Sequence, residues 1–156
     1  MRSPGLLQTR AMTATSVDDT TRFRRLDHIA ILVNSTDEAL AYYRDRLGFP
    51  VVAEEAFETP PVRLTYVDCG NALIQLLEPT GDSPLAQALS DKGEGVHHIC
   101  FSADDVVGAA IAHGDPGSGA PIQGRGRGRD SAFVPGPIHH GVLVEVTEFH
   151  PDDGKG

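Results

Sequence analysis

The stretch VHHICF, at residues 96–101, decides the fold of this chain because it repeats an earlier stretch, LDHIAI, at residues 26–31. Each copy is a short, mostly apolar run with a histidine at its third position. Runs of this length and composition are typical of β-strands. The repetition therefore predicts that the chain folds as two copies of one unit.

The same series of elements follows each of these strands. In the first copy, Ser35 and Glu38 have the spacing of a capping box at the start of a helix, and Gly48 marks its end. In the second copy, the helix is predicted to end at Gly114. The predicted apolar faces of the two helices are Ala39, Leu40, Tyr43 and Leu47, and Val106, Val107, Ala110 and Ile111. Strand-like segments follow at residues 49–53, 62–68 and 72–77, and at residues 121–123, 131–134 and 141–147.

These elements predict an α+β fold in which two paired βαβββ modules form a curved eight-stranded mixed sheet around a cleft. The modules span residues 26–80 and 96–149, and the linker at residues 81–95 contains a short helix that Ser83 caps. Half a sheet of this size cannot bury both of its faces alone, so the modules must share one core. We expect a disordered tail at residues 1–25 and a frayed end at residues 150–156.

The composition disfavours several classes of function. Thirteen basic and 22 acidic residues give a net charge of −9, which argues against nucleic acid and anionic membranes as partners. No apolar run approaches the length of a membrane span, and the first residues lack the apolar core of an export signal. We therefore expect a cytoplasmic protein whose two cysteines, Cys69 and Cys100, are free thiols.

The repeat also pairs polar residues that an apolar strand does not explain. His28 in the first copy matches His98 in the second, and at the same offset Gln75 matches Glu145. A strand histidine alone is more often a packed core residue, but an amide and a carboxylate in such apolar strands are costly unless they bind a partner. Two imidazoles, an amide oxygen and a carboxylate at a pseudo-twofold axis predict a divalent metal site. Because side chains alternate along a strand, His97 is predicted to point away from this site.

Five stretches of the chain resemble the vicinal oxygen chelate (glyoxalase/bleomycin resistance/dioxygenase) superfamily, and within it the methylmalonyl-CoA epimerase family. They are LDHIAI, ALAYYRDRLGF, IQLLEPTGDSPLA, GEGVHHICF and HGVLVEV, spread over residues 26–146. The first-strand histidine is shared across the superfamily, whereas IQLLEP and GEGVHHI are more particular to the epimerases. The resemblance implies a glyoxalase-like fold around a metal-binding cleft, with the metal ligands His28, Gln75, His98 and Glu145.

The same resemblance implies an isomerase that interconverts the 2R and 2S forms of methylmalonyl-CoA, or of a close 2-substituted malonyl-CoA, through a metal-stabilised enolate. A cation that chelates the carboxylate and the thioester oxygen can hold the negative charge as it develops. The implied cofactor is a divalent metal ion: cobalt, manganese, nickel or zinc. The implied partners are a small acyl-CoA substrate and a second copy of the chain, in a homodimer.

The chain departs from the epimerase pattern at two places. Many bacterial epimerases carry a glutamate in the third strand as the base, and Leu64 stands at that place here. The base is therefore left open: Glu145, acting from the metal shell, is the first candidate for the catalytic group, ahead of Glu58, Glu55 and Asp68. The second departure is the loop GRGRGRD at residues 124–130. Its arginines, Arg125, Arg127 and Arg129, either meet the substrate carboxylate and CoA phosphates or form a solvated loop.

Two other functions fit the same residues. An enzyme with the same metal could be an isomerase or lyase for a different chelating carbonyl substrate. A metal-free protein of this fold would instead bind small molecules and confer resistance, although such proteins generally lose the ligands that this chain keeps. An extradiol dioxygenase is disfavoured by Gln75, because those enzymes use two histidines and one carboxylate.

Overall fold

The structure is a computed structural model that describes residues 18–153. A βαβββ series occurs twice in it, with one further helix between the two copies. In chain order the elements are β1 (Arg25–Leu32), α1 (Thr36–Tyr43), β2 (Val51–Glu58), β3 (Pro61–Asp68), β4 (Leu73–Pro79), α2 (Pro84–Lys92), β5 (Gly95–Ala103), α3 (Val106–His113), β6 (Ile122–Gly126), β7 (Arg129–Phe133) and β8 (Leu143–Glu148). The predicted α+β, glyoxalase-like fold is confirmed.

The eight strands form one mixed sheet in the order β2-β3-β4-β1-β5-β8-β7-β6. β1 pairs in parallel with β4, and β5 pairs in parallel with β8, whereas β1 and β5 are antiparallel and join the two halves. The register repeats with the sequence, because Ala30 lies opposite Gln75 and Cys100 lies opposite Glu145. A pseudo-twofold axis between β1 and β5 therefore relates the two halves.

Apolar clusters fix the helices against this sheet. α1 packs on a cluster that includes Leu40 and the fully buried Leu76, and α3 packs through Ala109 and Ala110 on the second half. A third cluster in the first half packs against α2; its buried members are Leu32, Val62, Leu64, Tyr66 and Leu77. The predicted caps are present, since Ser35 accepts a hydrogen bond from the backbone N–H of Glu38 and Ser83 accepts one from Ala86.

The predicted apolar helix faces are only partly correct. α1 ends at Tyr43 rather than at Gly48, and Leu47 is 44% exposed. In α3, Val107 and Ile111 are 37% and 59% exposed, because this helix turns its small residues toward the sheet. Small side chains allow a close approach between helix and sheet, and the larger apolar residues are left on the flank.

The chain ends are more ordered than predicted where the structure describes them. Phe23, within the predicted tail, packs on the α3 cluster, and its ring stacks on those of Phe101 and His113 at centroid distances of 5.0 and 4.2 Å. Asp153, within the predicted frayed end, accepts hydrogen bonds of 2.6 and 2.8 Å from Arg129. Residues 1–17 and 154–156 lie outside the described residues. The module boundaries stay a prediction, because both halves share one sheet.

The expectation of free thiols is met in the described residues. Cys69 and Cys100 are free thiols, and Cys100 is fully buried. No helix between residues 18 and 153 combines the length and the apolar character that a membrane span requires.

Candidate active site

The four predicted ligands come together at the centre of the sheet, where β1 pairs with β5. Ala30 lies opposite His98 in that pairing, so His28 and His98 lie on either side of the pseudo-twofold axis. Gln75 and Glu145 come from the flanking strands β4 and β8. All four side chains are buried, and they line one cavity.

Three of the four ligand groups form a compact triangle of nitrogen and oxygen atoms. Nε2 of His28 lies 3.3 Å from Nε2 of His98 and 3.4 Å from Oε2 of Glu145. Nε2 of His98 lies 2.8 Å from the same carboxylate oxygen. These three buried side chains form a group that could hold a metal ion. A set of imidazole and carboxylate ligands suits first-row divalent metals.

Gln75 carries the oxygen that completes this set. Its amide nitrogen donates a hydrogen bond of 2.7 Å to the hydroxyl of Tyr66, which fixes the orientation of the amide. Its Oε1 atom is buried and has no hydrogen-bond partner among the described residues. A buried polar atom without a partner is unfavourable, so an amide oxygen held in this way fits the role of a fourth ligand.

Two β-bulges give each histidine a partner for its Nδ1 atom. The register of β1 against β5 shifts between residues 26 and 28 and again between residues 96 and 98, which leaves Asp27 and His97 as extra residues. Nδ1 of His28 donates to Asp27 over 2.6 Å, and Nδ1 of His98 lies 2.8 Å from Nδ1 of His97. Asp27 and His97 precede the two matched histidines directly, so they are equivalent partners in the repeat.

The prediction that His97 points away from the site is wrong. Side chains alternate strictly only along a regular strand, and His97 is the extra residue of a bulge. It lines the same cavity as His98, and the two rings meet edge to face at a centroid distance of 5.1 Å.

One aromatic ring packs against each of the two histidines, and the two contacts are related by the same pseudo-twofold symmetry. Tyr66 on β3 contacts His28 edge-on at a centroid distance of 5.7 Å, and Phe133 on β7 contacts His98 at 5.2 Å. In the first half, the hydroxyl of Tyr66 accepts a hydrogen bond from the amide of Gln75 and orients it. In the second half, Phe133 has no hydroxyl, so it makes no such bond to the carboxylate of Glu145. The repeat has therefore diverged around a shared frame.

The protein environment changes the proton affinity of these groups. Burial raises the pKa of Glu145, but hydrogen bonds from His28 and His98 outweigh burial and hold that pKa well below its usual range. Burial lowers the pKa of His28, but the carboxylates of Asp27 and Glu145 raise it above its ordinary value. For His97, burial and then the charge of His98 lower the pKa to about 4. The site therefore keeps its carboxylate ionised.

The cavity in front of these groups is large, with a volume of about 1100 Å³. Such a volume is slightly above the range of about 300–1,000 Å³ that is typical of small-molecule sites. Apolar side chains form much of the wall, among them Leu64, which is 6% exposed. Leu64 therefore lines the cavity at the place where the resemblance led us to look for a base, and it cannot take a proton.

The loop GRGRGRD is a β-hairpin rather than a solvated loop. Residues 122–126 form β6 and residues 129–133 form β7. The side chains of Arg127 and Arg129 are only 13% exposed, and both lie near Asp27. Arg125 differs, with a side chain that is 66% exposed. The solvated-loop interpretation is therefore wrong for two of the three arginines.

Sequence reasoning missed the partners that surround the ligands. Asp27, Tyr66 and Arg127 all contact a ligand or one of its partners, and only Arg127 was considered for the site. The repeat carries a signal for Asp27, because it occupies the position of His97 in the first copy. The sequence carries no equally direct signal for Tyr66, whose position depends on the register of β3 against β4.

Comparison with known families matches this chain to one of them. The model of the glyoxalase/bleomycin resistance protein/dioxygenase superfamily matches residues 25–115. That range contains three of the four predicted ligands: His28, Gln75 and His98.

Similar proteins cover most of the chain. The Bacillus subtilis protein YqjC is 34% identical over 80% of this chain and 91% of its own length. The ethylmalonyl-CoA/methylmalonyl-CoA epimerase of Cereibacter sphaeroides is 33% identical over 80% of this chain and 97% of its own length. Among solved structures, a Streptomyces coelicolor methylmalonyl-CoA epimerase in complex with 2-nitronate-propionyl-CoA has a TM-score of 0.69 and 33% identity, over 81% of this chain and 98% of that one.

Proposed function

The chain belongs to the glyoxalase/bleomycin resistance protein/dioxygenase superfamily, and on that premise we propose that it is a metal-dependent epimerase of methylmalonyl-CoA or of a close 2-substituted malonyl-CoA. Such an enzyme is an isomerase that interconverts the 2R and 2S forms of its substrate. The chain is epimerase-like, because relatives with that activity match it along nearly their whole length.

One observation carries the proposal: four buried polar groups face one cavity at the pseudo-twofold axis. Three of them lie within 3.4 Å of one another, and the fourth, Gln75, offers a buried oxygen without a partner in the described chain. Without a bound cation, this many buried polar groups would be energetically unfavourable. A protein that only binds apolar ligands does not require such groups. The group therefore supports an enzyme over a metal-free resistance protein.

The residues that would hold the ion are His28, Gln75, His98 and Glu145, and the candidate ions are cobalt, manganese, nickel and zinc. A divalent ion bound there supplies positive charge that stabilises the negative charge of a carbon acid losing its proton. The remaining steps depend on how the side chains of this protein are oriented and protonated.

Both histidines must offer Nε2 to the cavity, which requires a proton on each Nδ1 atom. For His28, Asp27 accepts the hydrogen bond from the protonated Nδ1 atom. His97 fulfils the same role for His98, because its low pKa keeps its ring neutral near pH 7 and leaves its Nδ1 free to accept. The two bulged residues therefore fix the tautomers that ligation needs.

We assign proton transfer at carbon 2 to Glu145. Within the described chain, the carboxylates that line the cavity are Glu145 and the exposed Asp130. Glu145 is itself one corner of the ligand triangle, and it is ionised, because burial raises its pKa less than the hydrogen bonds from His28 and His98 lower it. Removal of the proton by Glu145 and delivery of a proton from water to the opposite face invert the centre. The homodimer implied by the resemblance and the cytoplasmic location expected from the sequence stay predictions.

Hydrogen exchange at carbon 2 of methylmalonyl-CoA tests this function. The metal-free protein is loaded with cobalt or manganese in heavy water, and loss of the carbon-2 proton is followed by NMR. Propionyl-CoA is the control substrate, because it has the thioester but lacks the carboxylate on carbon 2. We expect fast exchange and loss of stereochemistry with methylmalonyl-CoA only when metal is present.

Two variants sharpen this test. Glu145→Gln keeps an oxygen ligand but loses the base, so exchange should fall by at least 100-fold, which corresponds to about 2.7 kcal/mol of barrier. Asp130→Asn should exchange at the normal rate. If the metal-loaded protein gives no exchange above the metal-free background, the proposed reaction is wrong, and a different chelating substrate must be sought.

A further inference from the structure

We propose that Arg127 is a positioning residue for the metal centre. It extends from the β6–β7 hairpin of the second half and fixes the orientation of two ligands of the first half, His28 and Gln75. It does so through Asp27 and Tyr66, which contact those ligands directly. The inference rests on the proposed metal site and adds to it a residue outside the ligand set.

The backbone of Arg127 is fixed at the tip of its hairpin. Arg127 and Gly128 form the two-residue turn and have φ values of 56° and 70°. Positive φ is unfavourable for an arginine, and such conformations persist only where surrounding contacts hold them. Here the backbone N–H of Arg127 donates to both carboxylate oxygens of Glu55, at 2.9 and 2.8 Å. Glu55 lies on β2, so the bond ties one edge of the sheet to the other.

A glycine lets this hairpin lie close to the ligand partners. A Cβ atom on Gly126 would lie 2.6 Å from the hydroxyl oxygen of Tyr66, well inside van der Waals contact. The hydroxyl is the group that orients the amide of Gln75. The glycine therefore allows the hairpin to approach without displacing this hydroxyl.

The guanidinium of Arg127 contacts both partner residues at once. Its Nη2 atom donates to Oδ1 of Asp27, the same oxygen that accepts from Nδ1 of His28. Its central carbon lies 4.9 Å from the centroid of the Tyr66 ring, in a cation–π arrangement. One cation thus contacts the group that orients a histidine ligand and the group that orients an amide ligand.

Charge balance indicates why this cation is needed. Asp27 is 7% exposed, and a buried carboxylate requires a paired positive charge. Arg129 approaches its other oxygen only to 3.9 Å, and it already bonds Asp153 at 2.6 and 2.8 Å. Among the described residues, Arg127 is therefore the closest arginine to Asp27. Without it the carboxylate is undercompensated, and the His28 ring loses a fixed partner.

The alternative role, direct binding of a substrate anion, fits Arg127 less well. Its Nη2 donor is engaged by Asp27, and one face of its guanidinium is covered by Tyr66. Its Nε atom has no hydrogen-bond partner among the described residues, but that atom is buried and so is not accessible to an incoming anion. Residues that position metal ligands typically change metal affinity by 10- to 100-fold when they are replaced.

Metal affinity of the folded protein tests this role without an activity measurement. Cobalt binding is titrated against a chelator for the wild type, Arg127→Met, Arg127→Lys and the matched control Arg125→Met, and the cobalt d–d absorption is recorded. We expect Arg127→Met to weaken binding by about 10- to 100-fold and to alter the absorption. Arg127→Lys, which keeps the charge, should lie between that variant and the wild type. Arg125→Met should change affinity by less than about twofold, because its side chain is exposed.

A second comparison shows whether Arg127 acts through Asp27. In an Asp27→Asn background, Arg127→Met should cause a much smaller further loss than it does alone. Wild-type affinity and absorption in Arg127→Met would overturn the inference while leaving the metal site intact. A full additional loss in the Asp27→Asn background would overturn it as well. If the wild type itself bound no cobalt, the proposed metal site would fail and this inference with it.

Discussion

The amide of Gln75 distinguishes a metal site from a merely polar core. Replacing it with leucine keeps the volume but removes the oxygen ligand, so affinity for a divalent ion should fall by at least about tenfold, on the order of 1.4 kcal/mol. Stability of the metal-free protein should change by less than about 1.5 kcal/mol, as for other volume-conserving changes. Calorimetric titration with cobalt measures the affinity.

The matched control for Gln75→Leu is Gln87→Leu. Gln87 is exposed on α2 and hydrogen-bonds through its side chain to Asp91 in the described structure. This control should bind cobalt as the wild type does. Unchanged affinity in Gln75→Leu would show that the amide is not a ligand.

His97 should make the metal-free protein sensitive to acid. The unfolded chain takes up a proton at this residue near pH 6.5, whereas the folded protein takes it up only near pH 4. Because the unfolded state binds more protons between these values, stability rises with pH there and is lost as the pH falls from 6.5 toward 4. His97→Gln removes this loss, which we put at about 1–2 kcal/mol because the ring is partly exposed to solvent.

Urea unfolding at pH 7 and pH 4.5 gives the loss of stability between the two pH values, and this loss is compared among three proteins. The wild type and the exposed-site control His150→Gln should lose the same stability between the two pH values, and His97→Gln should lose less. Equal losses in all three proteins would contradict the buried, neutral state assigned to His97.

At these positions, the ligands could be predicted from the sequence but their partners could not. His28, Gln75, His98 and Glu145 share one offset in the chain, and residues at matching places in a repeat occupy matching places in the fold. Asp27 and His97 reach the site through bulges, which depend on the register of β1 against β5. Register is a long-range property, and alternation within one strand does not contain it.

Among the elements, β4 combines a structural and a functional face. Leu76 is fully buried against α1, and its neighbour Gln75 faces the cavity. Leu76→Ala should reduce the free energy of unfolding by about 2–5 kcal/mol, because the cavity it leaves cannot collapse between sheet and helix. Urea unfolding measures the change, and Leu47→Ala, at a 44% exposed position, should cost less than about 1 kcal/mol. Similar losses in both variants would contradict the packing of α1 on β4.

The β6–β7 hairpin shows where element prediction fails. The run GRGRGRD has no apolar alternation, and glycine is depleted in strands, so its composition indicates a loop. In the structure it belongs to the paired strands β6 and β7, with Arg127-Gly128 as the turn. Both turn residues have positive φ, as a type I′ turn requires, but an arginine is an unusual first residue there. Tertiary contacts to Glu55 and Asp27 hold the turn instead of local preference.

For the whole molecule, a metal shared by both halves should stabilise the fold. An ion that binds only the folded state adds about 2.7 kcal/mol at a free concentration 100 times its dissociation constant. The melting temperature of the wild type should therefore rise with added cobalt, and a chelator should reverse the rise. His98→Ala removes a ligand from the second half and should abolish the rise, whereas the exposed-site control His139→Ala should retain it. A full rise in His98→Ala would contradict a site shared by the two halves.

The architecture as a whole could be predicted because the repeat constrains it. Two βαβββ series with one register leave few ways to pair, and the parallel pairs β1–β4 and β5–β8 bring the matched polar residues to one axis. The tie between the sheet edges through Glu55 and Arg127 could not be predicted, since it depends on the curvature of the whole sheet. Long-range closure of this kind has no local signature in the chain.

X-ray absorption of the zinc-loaded protein at the zinc edge tests the shared metal centre most directly. The structure contains a second candidate group, Asp27, His28 and Cys100, which overlaps the first at one histidine. We predict one zinc per chain with nitrogen and oxygen ligands at about 2.0–2.2 Å, including two imidazoles, and no sulfur. A sulfur ligand at about 2.3 Å would contradict the account, because it would place the ion on Cys100 and away from His98 and Glu145.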